Sequence, residues 1–219
     1  MEKTYIKEIF SSIQGEGLLV GQAQTFVRFS RCNLNCRYCD TDFSEFGSKK
    51  YTSISFVEEV SKYLPETISL TGGEPLLETP FLIESLPKLK RMGKKIYLET
   101  NGTLPRELEK IIDFVDIIAM DIKIQTATGE KNRFDVNRAF LKLAHQKKKK
   151  IFIKVVFTPK IEYEEIAEII SIAKENMTPV VLQPKYPIEG RVEGVFDKFY
   201  GLYKNVRLIP QTHKFLDLP

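Results

Sequence analysis

Gln24-Thr25-Phe26-Val27-Arg28-Phe29-Ser30 leads directly into Arg31-Cys32-Asn33-Leu34-Asn35-Cys36-Arg37-Tyr38-Cys39. Residues 24–30 are rich in β-branched and aromatic side chains and read as a strand. The stretch that follows holds three thiols at close spacing and reads as a loop with a chemical task. The chain has 219 residues and three cysteines, so no thiol elsewhere is left to pair with these. An odd number set this closely is not a disulfide framework. These are reduced thiols with a local purpose.

Outward from that pair, the order of strand and polar turn repeats. Further strands are expected at 67–70, 95–99, 116–120, 151–157, 179–182 and 205–209, several of them continuously apolar as buried parallel strands are. Helical patterns fall between them at 55–64, 79–92, 105–114, 136–146 and 163–176. Ser53 or Ser55 is placed to cap the first, with Glu58 closing a capping box on Ser55. Such alternation implies right-handed βαβ units and an α/β fold with a parallel sheet. Six or seven units are too few for a closed eight-stranded barrel, so a partial, open β/α barrel is expected over residues 1–219 as a single domain.

Parallel architectures carry their chemistry at the carboxyl ends of the strands, and the polar turns fall there. Thr71-Gly72-Gly73-Glu74-Pro75 follows the second strand and Thr100-Asn101-Gly102-Thr103 the third. Asp121-Ile122-Lys123, Thr158-Pro159-Lys160 and Gln183-Pro184-Lys185 follow the next three. The charge sum of +4 is too mild to imply nucleic acid. No apolar run approaches the length needed to span a bilayer, and the N-terminus lacks a signal-peptide pattern, so a cytoplasmic chain is expected.

Three thiolates from one loop are soft donors that select zinc or an iron–sulfur cluster. Structural zinc wants four protein ligands, and only His145 and His213 are available as a fourth. His145 runs into Gln146 and four lysines, a poor setting for a metal ligand. A 4Fe-4S cluster on three cysteines leaves one iron open to a small molecule. Inert buried cysteines are the remaining reading.

The cysteine motif after the first strand of a partial barrel, with Gly72-Gly73-Glu74-Pro75 downstream, resembles the radical S-adenosylmethionine superfamily. The flanks narrow the likeness. Phe10, Gln14-Gly15-Glu16-Gly17, Phe26-Val27-Arg28, Cys39-Asp40-Thr41 and Pro210-Gln211-Thr212-His213-Lys214 closely resemble the 7-carboxy-7-deazaguanine synthase family, from Phe10 to Pro219. That family converts 6-carboxy-5,6,7,8-tetrahydropterin to 7-carboxy-7-deazaguanine, losing ammonia, on the route to deazapurines such as queuosine. The resemblance implies hydrogen abstraction from C6 of the pterin, ring contraction, and return of the hydrogen to a cofactor used catalytically.

The resemblance also implies a ligand set. Cys32, Cys36 and Cys39 would hold the 4Fe-4S cluster, and Thr41 would bring an oxygen to Mg2+. S-adenosylmethionine would meet Tyr38, Cys39, Asp40, Gly73, Glu74, Glu99, Asp121, Ile122, Lys123 and Gln183. The pterin would meet Ile13, Gln14, Gly15, Glu16, Arg28, Thr71, His213 and the terminal carboxylate of Pro219. Arg28 suits the pterin carboxylate because a guanidinium binds a carboxylate through two parallel hydrogen bonds. An electron donor such as flavodoxin or ferredoxin and a homodimer are expected as partners. Departures from the family pattern lie at Asp121, where serine is usual; at Lys185-Tyr186, where an acid is missing; and at Arg31 and Tyr38, in place of glycine and tryptophan.

Plainer readings stand beside these. Arg28 could pair with Glu16 or Asp40 on the rim, Thr41 could cap a helix, and His213 could be a surface residue. Lys147–Lys150 reads as a solvated helix exit, and Phe196, Phe199 and Tyr203 read as packing. A glycyl-radical-enzyme activase and a zinc-stabilised binding module are the alternative functions.

Overall fold

The structure is a computed structural model that describes residues 2–39 and 46–218. Asp40, Thr41 and Pro219, named above, lie outside the described residues. Among the described residues nine strands form: β1 (Lys3–Ile13), β2 (Ala23–Phe29), β3 (Lys49–Thr52), β4 (Thr67–Gly72), β5 (Lys95–Thr100), β6 (Ile117–Asp121), β7 (Lys150–Phe157), β8 (Val180–Pro184) and β9 (Val206–Leu208). They make one sheet in the order β3-β1-β2-β4-β5-β6-β7-β8-β9, which does not close on itself. Every pairing from β2 through β9 is parallel.

Helices α1 (Ser53–Ser61), α2 (Thr79–Arg91), α3 (Pro105–Ile111), α4 (Gln125–Thr128), α5 (Phe134–Gln146), α6 (Tyr163–Glu175), α7 (Glu193–Leu202) and α8 (Thr212–Phe215) complete the order. No helix among the described residues is long and apolar enough to cross a membrane.

Two differences from the sequence reading have physical causes. β1 and β3 are antiparallel additions to the edge beside β2. Their half-exposed residues and many charges hide the strand pattern, as is common at a sheet edge. The cap of α1 is Thr52, not Ser53 or Ser55. Its Oγ1 accepts from the Ser55 N–H at 3.2 Å while Ser55 Oγ accepts from the Thr52 N–H at 3.0 Å. Since β3 runs through Thr52, the helix begins there and Ser55 takes the place expected for Glu58.

Because side chains alternate along a strand, each parallel strand contributes to two layers. Outward residues such as Ile68, Leu70, Leu98, Ile118, Met120, Ile153 and Leu182 form a core with the helices. Inward residues Tyr97, Ala119, Phe152 and Val181 form a second, smaller apolar cluster inside the barrel. Two positions further along the same strands, toward their carboxyl ends, stand Glu99, Asp121, Lys154 and Gln183. An apolar floor thus lies beneath a polar layer.

The loops above that layer are locked together. Glu74 is fully buried. Its carboxylate accepts from the Leu76 N–H at 3.1 Å, Thr100 Oγ1 at 2.9 Å and the Asn101 N–H at 2.8 Å. It therefore ties the turn after β4 to the turn after β5. Burial pushes its carboxyl up to about 7, against the pull of those donors. Replacing Glu74 by Ala strands three donors, for an expected loss of about 3 kcal/mol and a Tm lower by roughly 6–12 °C. Differential scanning calorimetry of the metal-free chain checks this. A Tm within about 2 °C of wild type would show that the turns do not depend on Glu74.

Candidate active site

A cleft of about 890 Å³ opens at the carboxyl ends of the parallel strands. The cysteine loop stands on one side, the polar layer at its base, and the loop after β1 with the C-terminal segment on the other.

The cysteine loop is held by its own asparagines. Asn33 Nδ2 donates to Thr103 Oγ1 at 2.9 Å, and Asn33 Oδ1 accepts from Asn101 Nδ2 at 2.8 Å. Asn35 N–H donates to Glu130 Oε1, and Arg37 N–H donates to the Thr128 carbonyl. Gly72 and Gly73 fix the loop's entry. Gly73 N–H donates to the Phe29 carbonyl at 2.9 Å and Glu74 N–H to the Arg31 carbonyl at 2.7 Å. A Cβ on Gly73 would overlap the Arg31 carbonyl, and Gly72 sits at φ +106° against Phe29. These glycines thus permit close approach to the start of the cysteine loop itself.

Cys32, Cys36 and Cys39 all face the cleft as free thiols. Burial raises the thiols of Cys32 and Cys36, the latter up to about 11. A positively charged metal centre is what would bring such thiols to the thiolate form. Among the described residues, no three His, Cys, Asp or Glu side chains gather around a point for a single metal ion. A 4Fe-4S cluster asks for something else, since each of its cysteines goes to a different iron. The donor set fits such a cluster better than a mononuclear zinc site.

The polar layer is dense with charge. Asp121 Oδ2 meets Lys123 Nζ at 2.9 Å and Lys154 Nζ at 3.1 Å. Lys123 also donates to Tyr38 OH at 3.2 Å and lies over its ring. Burial alone would lower the Lys123 and Lys154 ammoniums, yet Asp121 and Tyr38 hold Lys123, and Glu16 and Asp121 hold Lys154, above the ordinary value. The Tyr38 phenol is pushed up by burial. Asp121 Oδ1 and both amide atoms of Gln183 are buried with no hydrogen-bond partner. Buried polar atoms are normally satisfied, so three orphans beside one cleft mark where a polar ligand belongs. A ribose diol and an adenine edge offer the matching donors and acceptors, and S-adenosylmethionine therefore fits the residues present.

The opposite wall begins with Gln14. Its Nε2 donates to Glu99 Oε1 at 3.0 Å and Gln24 Oε1 at 3.2 Å, while its Oε1 accepts from the Glu16 N–H at 3.0 Å. Glu99 also accepts from Ser69 Oγ and Thr71 Oγ1. Glu16 is gripped by Lys154 and by Gln211 Nε2, the latter at 2.7 Å. Burial would raise the Glu16 carboxyl, but Lys154, Gln211 and His213 together hold it at about 2. Gly15 leaves no room for a Cβ because the His213 ring fills that space, and Thr212 N–H donates to the Gly15 carbonyl. The C-terminal segment is thereby seated on this loop.

Of the residues expected in the site, Ile13, Gln14, Gly15, Glu16, Arg28 and Thr71 line the cleft, as do Tyr38, Gly73, Glu99, Asp121, Lys123, Gln183 and His213. The side chains of Glu74 and Ile122 do not. Glu74 is consumed by the turn donors, and Ile122 is buried in the outer core. Asp40 lies outside the described residues, and Arg28 does not pair with Glu16. Its Nε donates to Glu8 Oε1 at 2.5 Å, across the antiparallel β1–β2 register. β1 was not foreseen, so neither was this partner. Lys154, Gln211 and Asn101 also line the cleft without having been singled out for it. For Lys154 a signal existed, a lone charge within Ile151-Phe152-Ile153-Lys154-Val155-Val156-Phe157.

A family model for the Radical SAM superfamily matches residues 26–183. A 7-carboxy-7-deazaguanine synthase of Geobacter sulfurreducens is 35% identical, with 96% of each chain covered. One of Archaeoglobus fulgidus is 36% identical, covering 95% of this chain and 96% of that one. Among solved structures, QueE from Escherichia coli superposes with a TM-score of 0.68 at 19% identity, over 96% of this chain and 95% of that one. A structure of anSMEcpe with bound AdoMet gives 0.57 at 20% identity, over 82% and 58%. At those identities the structural likeness speaks for the fold alone. The sequence matches run nearly end to end on both sides, and the chain belongs to the 7-carboxy-7-deazaguanine synthase family of the radical SAM superfamily.

Proposed function

We propose that this cleft converts 6-carboxy-5,6,7,8-tetrahydropterin into 7-carboxy-7-deazaguanine with loss of ammonia. The observation that carries the reading is the meeting, in one cleft, of the cysteine loop, three unpartnered buried polar atoms and the Glu16–Arg28–His213 wall. Cys32, Cys36 and Cys39 would hold a 4Fe-4S cluster, which with S-adenosylmethionine supplies one-electron, hydrogen-abstracting chemistry. Asp121 Oδ1 and Gln183 would take the ribose and adenine side of that cofactor. Glu16, ionised and seated between Lys154 and Gln211, would accept from the guanidine-like edge of the pterin. Among the described residues the hydrogen bond of Arg28 is made by Nε to Glu8, which leaves its terminal nitrogens for the pterin carboxylate.

Finer features of the reading are proposals of the same kind. Mg2+ would lie near Thr41, with hard oxygen ligands and water around it, and Pro219 would approach the substrate. A flavodoxin or ferredoxin would deliver the electron. Two copies of the chain would form a homodimer in the cytoplasm.

The direct test is anaerobic reconstitution with iron and sulfide, then incubation with reductant, S-adenosylmethionine and carboxytetrahydropterin. A purine-like absorbing product is expected; cofactor cleavage with no such product would contradict the substrate assignment. Cys32→Ala, Cys36→Ala and Cys39→Ala should each abolish cluster assembly, read as iron and sulfide content. Near-normal iron in any one of them would remove that cysteine from the ligand set.

Arg28→Lys keeps the charge and loses the fork. It should lower kcat/KM for the pterin roughly ten- to a hundredfold, the worth of a charge-assisted hydrogen bond, while S-adenosylmethionine affinity is unchanged. Steady-state kinetics beside cofactor titration measures both. Normal turnover would leave Arg28 as the partner of Glu8 alone, a half-exposed pair of little energetic consequence.

A further inference from the structure

Lys154 occupies the centre of the otherwise apolar run Ile151–Phe157 of β7, where helix packing and the barrel floor call for no charge. Burying an ammonium is costly, and a hydrophobic replacement of a buried ion pair is often neutral for folding. Fold stability is therefore a weak reason for this lysine. Its contacts suggest a better one. Its Nζ lies between two carboxylates that face opposite ends of the cleft, Glu16 on the loop after β1 and Asp121 at the end of β6.

Neither carboxylate depends on Lys154 alone. Glu16 is held from the other side by Gln211, and Asp121 by Lys123, which reaches on to Tyr38 within the cysteine loop. Both lysines grip the same oxygen of Asp121, Oδ2. That leaves Oδ1 buried, unpartnered and beside the cleft. One ammonium thus sets the direction of the group that meets one ligand and the place of the group that meets the other.

We propose that Lys154 is a positioning residue that couples the two ligand sites, orienting Asp121 toward the cofactor's ribose and seating Glu16 against the donors of the pterin. The proposal rests on the substrate reading given above. It makes Lys154 act through a different carboxylate for each ligand, and a merely structural ion pair would not show that pattern.

The test is equilibrium binding of S-adenosylmethionine and of carboxytetrahydropterin to cluster-loaded enzyme without reductant. Wild type is compared with Lys154→Met, Glu16→Gln, Asp121→Asn and the two double variants containing Lys154→Met. Lys154→Met should weaken both ligands by about tenfold. On a Glu16→Gln background its effect on the pterin should fall below about twofold while its effect on the cofactor persists; on Asp121→Asn the pattern should reverse. Losses of equal size on every background, or a loss for one ligand alone, would overturn the proposal.

Should Lys154→Met fail to fold, Lys154→Arg and Lys154→Gln give the same decision. Arg should retain more of both affinities than Gln, and equal losses would overturn it. Wild-type enzyme that binds no pterin would overturn the substrate reading and the proposal together. Wild-type turnover with additive losses would overturn the proposal alone.

Discussion

Charge buried inside an open barrel is the constraint on which the rest of this molecule depends. Tyr97, Ala119, Phe152 and Val181 form an apolar floor, and the two-residue period of the strands places Glu99, Asp121, Lys154 and Gln183 directly above it. Groups set on such a floor are shielded from water below and must find partners among themselves. Most do. Lys154 serves Glu16 and Asp121, Gln14 and Thr71 serve Glu99, and Lys123 serves Asp121. Of these four residues, Asp121 and Gln183 keep unpartnered atoms, Asp121 Oδ1 and the Gln183 amide, and both residues line the cleft a ligand would fill.

The same economy explains how a loop of three cysteines is kept in place before any metal arrives. Its asparagines are bonded to the turns after β5 and α4, and its entry is clamped by the backbone of Gly73 and Glu74. Glu74 in turn ties that clamp to Thr100 and Asn101. Three successive strand ends thus form one rigid frame around the thiols. Preorganisation of this kind lowers the cost of assembling a metal centre, because the ligands need not be ordered at the moment of binding.

Much of this was legible in the sequence. The seven parallel strands, the placement of polar turns at their carboxyl ends and the cysteine motif all follow from composition and spacing. What was not legible has common physical origins. β3 is the edge strand and β1 lies between it and β2; their charged, half-exposed residues imitate loop, and Arg28's partner Glu8 was hidden with them. Glu74 looked like a ligand residue because sequence cannot tell a carboxylate facing a cleft from one satisfied by turn amides. Lys154 was passed over as one letter in an apolar run, although a solitary charge in such a run is among the clearer signs of an interior polar layer.

The most direct test of this account is an anaerobic crystal structure of the reconstituted enzyme with S-adenosylmethionine and carboxytetrahydropterin bound. The account predicts the ribose on Asp121 Oδ1, the pterin edge on Glu16, and Lys154 still between the two carboxylates. A cofactor whose ribose avoids Asp121, or a pterin seated away from the Glu16 loop, would contradict it.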